Sequence, residues 1–226
     1  MISDNTALDV VLLVAILLPS IILHEISHGW AALRFGDDTA KRAGRLTLNP
    51  IPHIDPVGSV ILPAMLALAG SSVFGWARPV PVNPARFGHP TRQMALVALA
   101  GPATNLGLAA VAGFAGPFVD LRADGTAGAV LISRSFEIGI TTNALWGRAL
   151  FAFVVVNVAL AVFNMLPIPP LDGSRLLPLV LPEQGRIWFE RISQYGFLIL
   201  FALIFLFDGA LAWISRPIGW LVRLVI

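Results

Sequence analysis

The chain has 226 residues, 57% hydrophobic and only 12% charged, with a mean hydropathy of +0.81. Soluble domains carry about 25% charged residues, so the composition excludes one and predicts an all-α polytopic membrane protein, a single domain over 1–226. The net charge of +2 rests on arginines and one lysine, Lys41, in short loops beside apolar runs, a topology signal rather than a nucleic-acid surface, and the absence of cysteine leaves only His, Asp and Glu as metal ligands.

The first element, Leu8 to Leu33, is apolar and long enough to cross a bilayer, yet holds His24, Glu25 and His28. Ionisable groups at membrane depth are expensive and mark a functional site. His24 and His28 are four residues apart, so on a helix they share one face and two imidazoles can reach one metal. Glu25 lies about 100° round the helix, beside the metal and placed to take a proton from water. Asp4 and Asp9 without a basic residue do not make a signal-peptide n-region, so this span is expected to stay in the mature chain. The loop after it carries Arg34, Lys41, Arg42 and Arg45, the densest basic cluster. That predicts a cytoplasmic loop, an external N-terminus, and Glu25 ~12 Å from the inner end of its helix.

Pro50, Pro52 and Pro56 forbid a regular helix around His53 and Asp55. Val57 to Phe74 is apolar but interrupted by Pro63 and Gly70. Gly75 to Pro84, where prolines alternate with Val80 and Val82, predicts extended chain, which at membrane depth must be shielded by protein or line a wet cavity. Thr91 to Phe114 is the next span. Its small residues Gly101 to Thr104 permit close helix contact, and Asn105 offers an interhelical hydrogen bond, as Asn157 does later. The mixed stretch 117–143 is expected outside. Ala144 to Leu166 is a long helix running into Pro167, Pro169, Pro170 and Asp172, and Phe189 to Phe207 is the last full span. Residues 210–226, with Trp213 and Trp220 as interface anchors, form an interfacial helix or a further span. His89, next to Pro90, is expected at the surface.

Parity constrains the middle. If Asp172 meets the metal near the inner side, the chain between Leu46 and Pro90 makes an even number of crossings, which favours a re-entrant element over about 50–90. The expected architecture is therefore five to six transmembrane helices, with core helices at about 8–34, 91–115 and 144–181, a re-entrant extended or β-hairpin element, and a C-terminal span at about 188–208.

A two-His site needs a third ligand and an open position. Asp172 is the best candidate, because the prolines before it unwind the helix and Gly173 relaxes the backbone. It could equally cap the helix that follows, and the two roles are compatible.

The set His24-Glu25-Ile26-Ser27-His28, Gly101-Pro102-Ala103-Thr104-Asn105, and Asn164-Met165-Leu166-Pro167 leading to Leu171-Asp172-Gly173 resembles the signature of the site-2 protease family of intramembrane zinc metalloproteases. The resemblance covers roughly residues 10–180, and Asn49 to Gly58 and Gly75 to Asn83 look like a compact prokaryotic branch of it. It implies one zinc ion held by His24, His28 and Asp172, with Glu25 as general base. Asn164 would hold the substrate strand or the oxyanion, and Pro79 to Pro84 would be the re-entrant loop that receives substrate. His53, Asp55 and Asn105 are candidates for groups behind the ligands. No stretch between the spans is long enough for a PDZ domain, and no regulatory domain is expected. The implied activity is hydrolysis of peptide bonds within or near transmembrane segments of membrane-protein substrates, in a bacterial or archaeal cell membrane, with the active site toward the cytoplasm. A zinc carrier or sensor that does not cleave, or an inactive protease-like scaffold, are the competing functions. A carrier should spread ionisable residues over both membrane faces, and here they concentrate at one depth.

Overall fold

Three apolar helices position everything that follows. The structure is a computed structural model that describes residues 6–68, 75–115, 131–132, 138–139, 145–206 and 212–226. Helix α1 runs Thr6–Arg34, α4 Pro90–Ala115 and α5 Leu145–Asn164, with the short α2 (Thr39–Arg42) and α3 (Leu62–Leu68) between the first two. Proline at the first position of α4 costs no hydrogen bond, since that N–H has no helical acceptor. Helix α1 packs on α4 and α5, and α4 packs on α5. The core lies along α5: Val154, Val155 and Val158 are fully buried with Ala109 of α4, and Ile16 of α1 packs on Ala152 and Val156 from the other side.

The outward faces are apolar as well. Val111 and Phe114 on α4 are 72% and 80% exposed, which suits lipid rather than water as the surrounding solvent. Among the described residues, Val11–Arg34 and Pro90–Phe114 are each long and apolar enough to cross a membrane. A third crossing is available if a bent helix pair counts as one.

That pair revises the last expected span. Instead of one helix at Phe189 to Phe207, the chain forms α6 (Glu183–Ser193) and α7 (Gly196–Leu206), bent by 70°. The break has two causes. The first half carries Glu183, Arg186, Glu190 and Arg191, a surface helix's charges. At the bend Gly196 presses on Pro169, where an added Cβ would lie 2.7 Å from the Pro169 ring. Helix α8 (Ser215–Val225) has 11 residues, about 17 Å of rise, against roughly 30 Å of hydrocarbon. It is too short to span. It buries Ile218 and Val222 in the core around α5 and leaves Trp220 64% exposed, which is the interfacial alternative.

The proline-rich stretches are irregular, as expected. A single 3-10 turn covers Ile51–His53, and a π-helical turn covers Pro56–Ile61, capped by Asp55, whose carboxylate accepts from the N–H groups of Val57 and Gly58. Residues 75–83 are extended but form no strand ladder among the described residues. The only ladder described there is a two-residue antiparallel pair, Leu131–Ile132 with Ile138–Gly139. The rest of the expected external loop lies outside the described residues.

Candidate metal centre

Helix α1 brings His24, Glu25 and His28 into the bundle. His24 and His28 are 6% and 8% exposed, with their rings edge to face and centroids 4.7 Å apart. The third group arrives from the turn after α5. Asp172 is the first residue of a 3-10 helix, Asp172–Leu179, and Leu171 occupies the cap position without a side-chain cap bond. The carboxylate is therefore not spent on capping. It lies with Oδ2 3.1 Å from His24 Nε2 and 3.3 Å from His28 Nε2. Gly173 makes this turn possible: an added Cβ would stand 2.1 Å from the Met165 carbonyl oxygen, so the chain after the prolines folds back onto the end of α5.

The hydrogen bonds behind the imidazoles fix their tautomers. His24 Nδ1–H donates to Asn105 Oδ1 at 2.6 Å, and His28 Nδ1–H donates to the Val97 carbonyl at 2.7 Å. Pro102 cannot give an N–H to the Ala98 carbonyl four residues back, next to the Val97 carbonyl that accepts from His28. The orientation of the Asn105 amide is set by its other bonds, Nδ2–H to Asn157 Oδ1 at 2.7 Å and to the Ser20 carbonyl at 3.4 Å. Asn157 Nδ2–H in turn donates to Ser20 Oγ at 3.0 Å and to the Phe153 carbonyl at 2.9 Å. Ser20, Asn105 and Asn157 are wholly buried, one from each of α1, α4 and α5. A closed polar network of this kind both ties the helices and holds His24.

With both Nδ1 atoms donating, each neutral imidazole presents a lone pair at Nε2. Two such lone pairs and a carboxylate oxygen within about 3 Å repel one another unless positive charge sits among them. His24, His28 and Asp172 are the one group of three or more potential ligands that converges among the described residues, with donor atoms all within 4.8 Å. The N,N,O donor set fits zinc. Gly101 keeps the space open: a Cβ there would lie 2.4 Å from His28 Nε2 and 2.5 Å from His24 Nε2. Sequence reading gave this glycine a helix-contact role only.

Glu25 does not join the three. Its Oε2 accepts the Val80 N–H at 2.8 Å, so the segment around Val80 lies over this carboxylate. Gly29, one turn on, makes room for the segment that lies over Glu25, since a Cβ there would meet Val80 Cγ1 at 3.1 Å and Leu46 Cδ2 at 2.5 Å. The segment is fixed along its length. Trp76 N–H donates to the Gly58 carbonyl and Arg78 N–H to the His53 carbonyl, and the Trp76 ring packs on Phe197 of α7 at 5.1 Å. Asn83 N–H donates to Asp37 at 2.7 Å. Trp76, Arg78 and Val80 thus all turn their N–H groups to the protein, while Pro79 and Pro81 between them have none to offer on the other edge.

The remaining expected residues fall as follows. Asn164 ends α5, with its Nδ2–H donating to the Leu160 carbonyl at 2.9 Å. Asp55 is a cap. His53 is 2% exposed, donates from Nε2–H to the Thr47 carbonyl at 2.9 Å, and has no partner at Nδ1. Neither His53 nor Asp55 belongs to the converging group. Two residues that matter were not singled out. Asp37, wholly buried, accepts from the N–H and hydroxyl of Thr39 as well as from Asn83. Arg45, expected to be a solvated topology charge, is 5% exposed and donates from Nη2 to the carbonyls of Arg78 and Pro79. No spacing rule marks either, because each acts on a backbone about 33 to 46 positions away.

The sequence model of Peptidase family M50 matches residues 12–207. The chain is 38% identical over 192 residues to "Putative zinc metalloprotease YwhC" of Bacillus subtilis (strain 168), covering 84% of this chain and 78% of that one. It is 36% identical over 196 residues to Rip2 of Mycolicibacterium smegmatis, covering 86% and 66%. It is 32% identical over 214 residues to Rip2 of Mycobacterium tuberculosis (strain H37Rv), covering 93% and 73%. Both Rip2 proteins carry the same zinc metalloprotease designation. No solved structure matches.

Proposed function

The chain belongs to peptidase family M50, the site-2 type zinc metalloproteases, and from that premise we propose that it is an intramembrane endopeptidase cutting within or near transmembrane segments of membrane proteins. The observation that carries this is the convergence of His24 Nε2, His28 Nε2 and Asp172 Oδ2 inside apolar helices, with Glu25 beside them under an extended segment. In this reading His24, His28 and Asp172 are the zinc ligands. Zinc, when bound, supplies a Lewis acid for the scissile carbonyl and an acidified water. Glu25 is the base that takes the proton and passes it to the leaving amine. Asn105 and the Val97 carbonyl hold the imidazoles in the metal-binding tautomer. Asn164, at the end of α5, would steady the substrate backbone once its amide turns from Leu160.

A transmembrane helix hides its carbonyls in its own hydrogen bonds, so the substrate must unwind before attack. Residues 77–83 offer an extended template beside the base. Because Pro79 and Pro81 lack N–H groups, the edge on either side of Val80 has no donor, and there the substrate strand would donate to it. The basic loop after α1 supports an active site toward the cytoplasm.

The test is metal content and cleavage together. Purified protein should hold one zinc, and it should cut a transmembrane peptide in vesicles until a strong chelator is added. Glu25→Gln should keep the zinc and lose at least about 100-fold in rate, as expected when a general base is removed. Wild-type cleavage by Glu25→Gln would overturn the assignment of the base, and zinc-independent cleavage would overturn the whole reading.

A further inference from the structure

A second site lies beside the extended segment. Ala43, Arg45, Pro52, Arg78, Pro79 and Pro81 line a half-open cavity of about 260 Å³. Arg45 and Arg78 both line it, near enough for their charges to repel, and among the described residues neither has an ion-pair partner within 4.0 Å. Two neighbouring arginines do: Arg42 and Arg86 each reach Asp38 at 2.5 Å, so that nearby acid is already used. Arg45 is 5% exposed and spends Nη2 on the carbonyls of Arg78 and Pro79, which leaves its Nε–H buried with no acceptor. A buried charged donor without a partner is costly. Burial, and after it the like charge of Arg78, weakens Arg45's hold on its proton, with Glu25 alone opposing. The missing component is an anion.

We propose that this cavity receives the carboxylate of an acidic side chain on the substrate, a few residues from the bond that is cut. The inference rests on the peptidase reading and adds to it a substrate class. The choice of a peptide carboxylate follows from position. Arg78, Pro79 and Pro81 belong to the same extended run as Val80, whose N–H meets Glu25. At about 3.3 Å per residue, one or two residues of extended chain separate the cavity from the base. A peptide laid along this run therefore passes the two arginines before it reaches Glu25. A guanidinium pair suits a carboxylate by geometry as well as charge.

The test uses full-length, zinc-loaded Glu25→Gln protein in phosphatidylcholine nanodiscs. Fluorescent transmembrane peptides that differ only in one Asp, walked residue by residue, are compared with Asn at the same place by anisotropy. At one short register Asp should bind about 10-fold or more tighter than Asn, the range for a charge-assisted hydrogen bond. Arg78→Gln should erase that preference, read as the ratio of Asp-peptide to Asn-peptide affinity within the same variant, and Arg78→Lys should restore part of it. Arg78 is the residue to change because Arg45 also holds the segment's backbone. No register preferring Asp, or a preference that survives Arg78→Gln, overturns the proposal. So does Arg78-dependent binding seen only with phosphatidylglycerol present, which would make this a lipid-phosphate site. Binding needs no cleavage, so an enzyme without hydrolysis sinks the peptidase reading and leaves this readout intact. Hydrolysis without Asp selectivity sinks only the cavity's assignment.

Discussion

Removing the Asn105 amide should weaken zinc binding and the bundle by amounts that can be separated. Asn105→Leu keeps the side chain's heavy-atom count and branching, so no cavity is left. It strips the acceptor from His24 Nδ1, now bonded at 2.6 Å, and the donor from Asn157 Oδ1, now at 2.7 Å. Both atoms sit in a wholly buried network where water cannot replace the partner. Each orphaned group costs ~1–3 kcal/mol, so the zinc-free protein should lose roughly 2–6 kcal/mol. Loss of a group that orients a metal-bound imidazole costs a further 10–100-fold in affinity, which removes about 1.4–2.7 kcal/mol of zinc-dependent stabilisation at fixed metal. Asn105→Asp separates the two effects. It keeps an acceptor for His24 but sets an oxygen against Asn157 Oδ1, so it should hold zinc better than the Leu variant while unfolding no later. The assay is zinc competition against a chromogenic chelator, with thermal unfolding in the same detergent with and without metal. Wild-type zinc affinity together with wild-type zinc-free stability in Asn105→Leu would refute the argument that this network positions His24.

Three further outcomes follow. Gly101→Ala places a Cβ 2.4 Å from His28 Nε2. Although alanine stabilises a helix by ~1 kcal/mol over glycine, zinc stoichiometry by elemental analysis should fall toward zero with helicity retained, and a zinc-replete Ala variant would show that the helices have room to part. Gly29→Val crowds Val80 and Leu46, so hydrolysis should drop while bound zinc stays at one per chain; equal loss of both would place Gly29 in the metal site instead. Burial pushes the Asp37 carboxyl up, but the Thr39 hydroxyl, the N–H groups of Asn83 and Thr39, and Arg86 hold it below the usual carboxylate value. A lowered folded-state pKa gives stability that is present above the unfolded value near 4 and is lost as pH falls through the folded one. Unfolding midpoints should therefore drop below about pH 4, and Asp37→Asn should flatten that part of the acid limb while starting lower at pH 7. An unchanged acid limb in Asp37→Asn would remove this carboxylate from the account.

The sequence by itself determined the helix that carries the candidate metal ligands and the apolar character that suits a membrane. Local rules suffice there: a 3.6-residue period puts His24 and His28 on one face, and an apolar run around them can only sit in lipid or a core. The irregular, extended character of Gly75 to Pro84 was equally legible, because proline acts on its own backbone. Tertiary structure decided what lies between distant segments. It chose ligation geometry over capping for Asp172, broke the last span against Pro169, and turned Arg45 from a loop charge into a clamp on the extended segment. It gave Gly101 the task of leaving space at two imidazoles, and it set the His24 tautomer through an amide 81 residues away. Such roles are set by which surfaces meet across the bundle, a property of the packed helices that no single stretch of chain carries.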